Sequence, residues 1–112
     1  MKAGKNQQVI RRLIEAVSDN DRERVLSFFS DDSKFRALDG CSAVGREAIW
    51  NSISASNQGA EKVDWQIDQF DEDEGGKVRT VGTVRYLKNG RWSEYPFCGA
   101  FEVRGSKVMQ WL

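Results

Sequence analysis

Around Gly59 the hydrophobic pattern changes its period, and that change limits the chain to few folds. Before it, apolar residues recur at helical spacing; after it they alternate, as in strands. In "QQVIRRLIEAV", residues 7–17, Val9, Ile10, Leu13, Ile14 and Val17 share one helical face. "SDND" breaks this helix, and Asn20 or Asp21 can N-cap a second one carrying Val25, Leu26, Phe28 and Phe29. "KFRAL" reads as a short strand, "DGCSAVG" as a loop and "REAIWNSISAS" as a third helix. Strands then follow in "VDWQIDQF", "KVRTVGTVRYL", "RWSEYPFCGAFEV" and "KVMQWL". The "KNG" between the second and third of these is a hairpin turn of the Asn-Gly type. Pro96 suits a sheet edge or a bulge better than a central ladder. Short turns make neighbouring strands antiparallel. Helices gathered on one side of such a sheet make an α+β domain, here expected as one unit over residues 1–112.

A chain of 112 residues should bury roughly 65% of its unfolded surface, enough for one core. Six Phe, four Trp and two Tyr must fill that core or line something within it. The 17 basic and 17 acidic residues cancel, which argues against nucleic acid and anionic membranes as partners. No apolar run approaches the length of a spanning helix, and the N-terminal stretch lacks the apolar segment of a signal peptide. Cys41 and Cys98 then read as reduced thiols in a cytoplasmic protein. There is no His, which removes the commonest general base near neutral pH and the His-based zinc sites. No metal or cofactor is expected. The acidic run Asp71–Glu74 reads as a solvated turn.

Three stretches, "LSFFSDDSKF", "VGREAIWNSI" and "GAFEVRGSKVMQW", together with the element order, resemble the nuclear transport factor 2-like superfamily. The second half is most similar to its limonene-epoxide-hydrolase branch and SnoaL-like relatives. The resemblance implies a cone: a strongly bent antiparallel sheet, three N-terminal helices on its concave face, and an apolar pocket between them. Relatives of this kind include epoxide hydrolases, ketosteroid isomerases, polyketide cyclases and non-catalytic binding or dimerisation domains. Laid in register, the hydrolase Arg-x-Asp pair falls on Thr83 and Arg85, and its Tyr and Asn on Phe35 and Ala37. Its second Asp falls just past Leu112. The isomerase Tyr falls near Leu13 and its Asp base near Arg36. Neither catalytic set is retained.

The resemblance also assigns strand faces. It turns Val81, Thr83, Arg85 and Leu87 inward on the second strand, with Tyr95, Phe97 and Phe101 on the third. The expected pocket is lined by Phe35, Trp65, Thr83, Arg85, Leu87, Tyr95, Phe97, Met109 and Trp111. An inward Arg85 needs an acidic partner: Asp39, a ligand carboxylate or the carboxylate of Leu112. Three functions fit. The first is binding of a small apolar or amphipathic molecule. The second is a hydrolase, isomerase or lyase with Asp39 as base and with Arg85 and Tyr95 stabilising negative charge. The third is a dimerisation or interaction module whose aromatic residues simply fill the core. The outer face, expected to carry Val78, Val84, Tyr86, Trp92, Cys98, Ala100 and Val108, suggests a homodimer through the sheet.

Overall fold

The computed structural model describes residues 5–36 and 42–112. Helix α1, Lys5–Ser18, turns Val9, Ile10, Leu13, Ile14 and Val17 into the core, as their spacing requires. Helix α2, Arg22–Ser27, starts at Asp21, whose carboxylate accepts the Arg24 N–H at 3.3 Å. Strand β1, Lys34–Arg36, pairs antiparallel with β2, Ser42–Val44. The segment read as a loop therefore contains a strand, one too short to show a period. Helix α3, Arg46–Asn57, buries Ile49 and Ile53. Four longer strands follow: β3, Lys62–Glu72; β4, Lys77–Lys88; β5, Arg91–Arg104; and β6, Lys107–Trp111.

The six strands form one sheet in the order β2-β1-β6-β5-β4-β3, open at both edges. Only β1 and β6 run parallel. The sheet curls strongly. Trp65 on β3 and Trp111 on β6 lie three strands apart, which in a flat sheet is about 14 Å. Their rings are 5.9 Å apart. Helices and concave face enclose a core that includes Phe29, Phe101 and Val108. Ser33, fully buried, ties the α2–β1 connection to β6: its hydroxyl donates to Val108 O at 2.7 Å and accepts the Ser30 N–H at 2.9 Å.

The register of β4 against β5 corrects the expected faces. Lys88 pairs with Arg91 across a turn of two residues, Asn89 (φ 52°) and Gly90 (φ 76°), both left-handed as a type I′ hairpin needs. This pairing sets Val84 opposite Tyr95 and Gly82 opposite Phe97. Directly opposite residues share a face, so Val78, Thr80, Gly82, Val84 and Tyr86 point inward and are buried. Thr83, Arg85 and Leu87 point outward with Val81. A bulge in the β5–β6 pairing leaves Met109 unpaired and brings Val108 and Trp111, three residues apart, onto the same inner side. Val78, Val84, Tyr86 and Val108 therefore belong to the core and not to the outer face.

Two residues shape the sheet locally. At Gly82, opposite the bulge between Ile67 and Gln69, a Cβ would stand 2.0 Å from the backbone oxygen of Gln66. The strands approach so closely there that only glycine fits. Farther along, Ala100 exchanges both its backbone hydrogen bonds with Leu112. By alternation, Cys98, Pro96 and Glu94 turn their backbone polar groups toward the same edge, beyond the end of β6. Pro96 thus sits where its missing N–H breaks no ladder.

Gly82→Ala is expected to lose about 3 kcal/mol of stability, because backbone must move to admit the methyl group. Gly90→Ala, strained only by its positive φ, should lose about 1 kcal/mol. Urea unfolding of both variants checks the order, and a Gly82→Ala protein as stable as the Gly90→Ala protein would contradict the close approach.

Candidate functional site

The curl of the sheet gathers aromatic residues from four strands. Phe35 of β1 meets Trp111 edge-on at 5.0 Å between ring centres. Trp111 meets Trp65 of β3 at 5.9 Å, and Trp65 meets Phe97 of β5 at 4.9 Å. Phe101 supports Trp111 from below at 5.0 Å. The three edge-to-face contacts of Phe35, Trp65, Phe97 and Trp111 bring the positive rim of one ring to the negative face of the next. Beside this row lies a recess of about 210 Å³, lined by Phe35, Trp65, Phe97 and Trp111 with Arg36, Cys98 and Leu112. It sits in the notch where β6 stops while β5 continues.

A second recess, about 280 Å³, lies between α1 and β3, lined by Arg11, Ile14, Glu15, Ser18, Trp65 and Ile67. Trp65 is a wall of both. Its indole nitrogen is buried and finds no acceptor among the described residues. Arg11 also stacks over Phe70, 4.4 Å from the ring centre.

Of the nine residues expected to line a pocket, Phe35, Trp65, Phe97 and Trp111 line the aromatic recess. Thr83, Arg85 and Leu87 stand on the outer face, for the reason of register given above. Tyr95 lies on the inner side by pairing, but at the open end of the sheet, where it is 50% exposed and packs against Tyr86. Met109 leans toward Ser30, whose hydroxyl lies 3.8 Å from its sulfur. Asp39, the proposed base, and Ala37 and Cys41 lie outside the described residues. Cys98 is free and exposed.

Arg85 has its acidic partners on the flanking strands. Asp64 lies at 3.8 Å and Glu94 at 4.0 Å, both directly opposite it in register, and the guanidinium stacks 4.6 Å from the centre of the Trp92 ring. Neither Asp39 nor a terminal carboxylate is needed to hold it.

No carboxylate side chain lines the aromatic recess, so its described walls offer contact and hydrogen-bond donors but no general base. The inner side of β4 carries Thr80, Gly82 and Val84, none of which is a general base. The acidic run departs from its expected form at two residues: Asp71 and Glu72 belong to β3, and Glu72 is half-buried, with one carboxylate oxygen buried and unbonded. Asp73 does sit in the turn, where the backbone N–H groups of Lys77 and Gly75 lower its carboxyl pKa. Among the described residues no group of three potential ligands could hold a metal, and no helix is long and apolar enough to cross a membrane.

The family model of the SnoaL-like domain matches residues 10–111, from α1 to the last aromatic of β6. The chain belongs to the SnoaL-like domain family. Solved structures agree on the fold. A SnoaL-like protein of Shewanella putrefaciens superposes with a TM-score of 0.83 at 17% identity, covering 98% of this chain and 88% of the other. An LEH-like epoxide hydrolase of M. tuberculosis gives 0.80 at 19% identity, covering 95% and 78%. A protein of Catenulispora acidiphila with a ketosteroid isomerase-like fold, in complex with trimethylamine, gives 0.81 at 16% identity, covering 92% and 81%. No curated protein matches the chain in sequence. The expected kinship and the α+β cone of three helices on a bent sheet are both established by these matches.

The inner face of this SnoaL-like chain carries one titrating group with a displaced pKa. Burial pushes the Tyr86 phenol above its ordinary value of 10.0, and neighbouring Tyr95 adds to the effect. The folded state therefore holds this proton more tightly than the unfolded chain does. Its stabilising contribution is complete below the unfolded value and fades as pH rises through the folded one. Stability is expected to fall as pH climbs past about 10, and to fall less in Tyr86→Phe. Chemical denaturation across an alkaline pH series measures both slopes; equal slopes would mean that Tyr86 is not the group responsible.

Proposed function

We propose that this SnoaL-like chain binds a small, flat, apolar molecule in the aromatic recess. The observation that carries the reading is a recess of about 210 Å³ walled by four aromatic rings with no carboxylate side chain among its lining. The volume is below that of most drug-sized sites, so the occupant is a molecule of one or two rings. Ring edges held against one another cannot collapse to fill the space without losing their own contacts. Binding without proton transfer is the reading this lining supports. Arg85, engaged on the outer face, has no part in it.

We propose further that the protein is a homodimer through the outer face of the sheet. Val81 and Trp92 are each 44% exposed there, and Leu87, Pro96 and Cys98 lie beside them on β4 and β5. Exposed apolar side chains gathered on one face of a sheet are the usual mark of a protein interface.

A thermal-shift screen tests the first proposal. One- and two-ring compounds should stabilise the protein, by about 2.7 kcal/mol at 100 times their dissociation constant, while steroid-sized compounds should not. The shift should survive in Arg85→Ala. Silence across the small compounds, or a shift lost with Arg85, would defeat the reading. For the second, light scattering on eluted protein should give twice the chain mass for wild type and a single chain mass for Trp92→Glu. A wild type that elutes as a monomer at tens of micromolar would refute the dimer.

A further inference from the structure

We infer that the phenols of Tyr86 and Tyr95 and the ammonium of Lys88 form an anion seat beside the aromatic recess. The ligands are then small aryl carboxylates, with the ring in the recess and the carboxylate carried to this seat on a short chain. This inference rests on the reading of the recess as a binding site and names the class of molecule it selects.

Register puts the three groups on one surface. Trp65 and Tyr95 both lie directly opposite Val84, so the three residues form one rung across the inner side of the sheet. Tyr95 is also two residues from Phe97, a wall of the recess, and alternation keeps both on the inner side, about 7 Å apart along β5. Tyr86 stands one rung farther toward the Asn89–Gly90 turn, and its ring meets that of Tyr95 at 6.0 Å. Lys88 is the next inward position on β4, and its Nζ lies 5.7 Å from the centre of the Tyr86 ring. From the recess toward the turn, a ring wall is thus followed by two phenols and an ammonium.

These groups are open to a ligand. Tyr95 is 50% exposed. The Tyr86 ring is buried, but its hydroxyl, unbonded among the described residues, is not enclosed. Its pKa is raised above 10.0, so at neutral pH it keeps its proton and can donate. Lys88 is exposed and forms no ion pair among the described residues. Arg91, directly opposite it, is also exposed and unpaired among them, and adds a second positive charge. The inner positions of β4 and β5 carry no acid. On the inner side of β3 the acid is Glu72, at the far end of the strand opposite Val78. Glu61, beside the turn, has a carboxylate oxygen on the Gly90 N–H at 3.2 Å. Hydrogen bonds to an ionised acceptor are about twice as strong as those to a neutral one, and a nearby cation adds to the difference. Two phenol donors and a cation without a partner therefore favour a carboxylate over a neutral oxygen, while Phe97 and Trp65 require that the rest of the molecule be apolar.

The test compares 3-phenylpropanoate with 3-phenylpropanamide, which share ring and chain and differ in charge. In chemical-shift titrations at low salt the acid should bind about tenfold tighter than the amide. Added salt should weaken the acid and leave the amide unchanged. Lys88→Met should reduce the preference to about twofold or less. Tyr95→Phe should weaken the acid about fivefold and the amide by less. Both substitutions are at exposed side chains, and unchanged circular dichroism spectra verify that the variants fold. An acid that binds no tighter than the amide, or a preference that stays whole in either variant, would overturn the seat while leaving the recess intact as a binding site. If neither compound binds the wild type, the recess reading fails and the seat with it.

Discussion

The contact between Trp65 and Trp111 is the constraint on which the rest of this structure hangs. Two rings from strands three places apart can meet only if the sheet between them bends into a trough. Once it bends, β4 and β5 must bring small or paired side chains to the concave side, and Gly82 marks the tightest point. The convex side then spreads, and this is where charge and the exposed Val81 and Trp92 collect. Each aromatic contact in the row adds about 0.5–1.5 kcal/mol beyond its burial, so the row stabilises the curvature that created it. The recess is the remainder: space that curvature opens and that rings already committed to one another cannot fill.

Much of this fold could be read from the residues, and the one serious misreading was avoidable from the same residues. The helices followed from spacing, and the strands from alternation and turn chemistry. The faces of β4 were ambiguous because both are apolar: Val78, Val84 and Tyr86 on one, Val81 and Leu87 on the other. Periodicity cannot choose between two apolar sides. The Asn89–Gly90 turn can, because a two-residue hairpin pairs Lys88 with Arg91 and so Val84 with Tyr95. Counting from the turn would have shown that Thr83 and Tyr95 cannot share a face. The bulge at Met109 and the three-residue strand β2 carried no comparable sign, since neither a single extra residue nor so short a strand leaves a period to detect.

The site was legible to the extent that it is made of rings facing inward. Phe35, Trp65, Phe97 and Trp111 followed from the family resemblance, which assigned the inner faces, together with alternation along the strands. Arg36, Cys98 and Leu112 border the recess because strands end beside them, and a strand end is a fact of sheet order that alternation does not report. Arg85 illustrates the opposite error. Placed inside, it demanded an acid that had to be sought at a distance. Placed outside, it lies between Asp64 and Glu94 as an ordinary cross-strand ladder, half-exposed and modest in energy.

Pro96 has a consequence for how the protein behaves among copies of itself. Among the described residues no strand pairs with β5 on this side before Ala100, and unpaired edges recruit strands from other chains. A recruited strand needs an unbroken run of donors and acceptors. Pro96 interrupts that run in the middle of the open stretch, so the edge is a poor template for intermolecular pairing. The residue that contributes least to the ladder within the molecule is the one that keeps crowded molecules from zipping together along it.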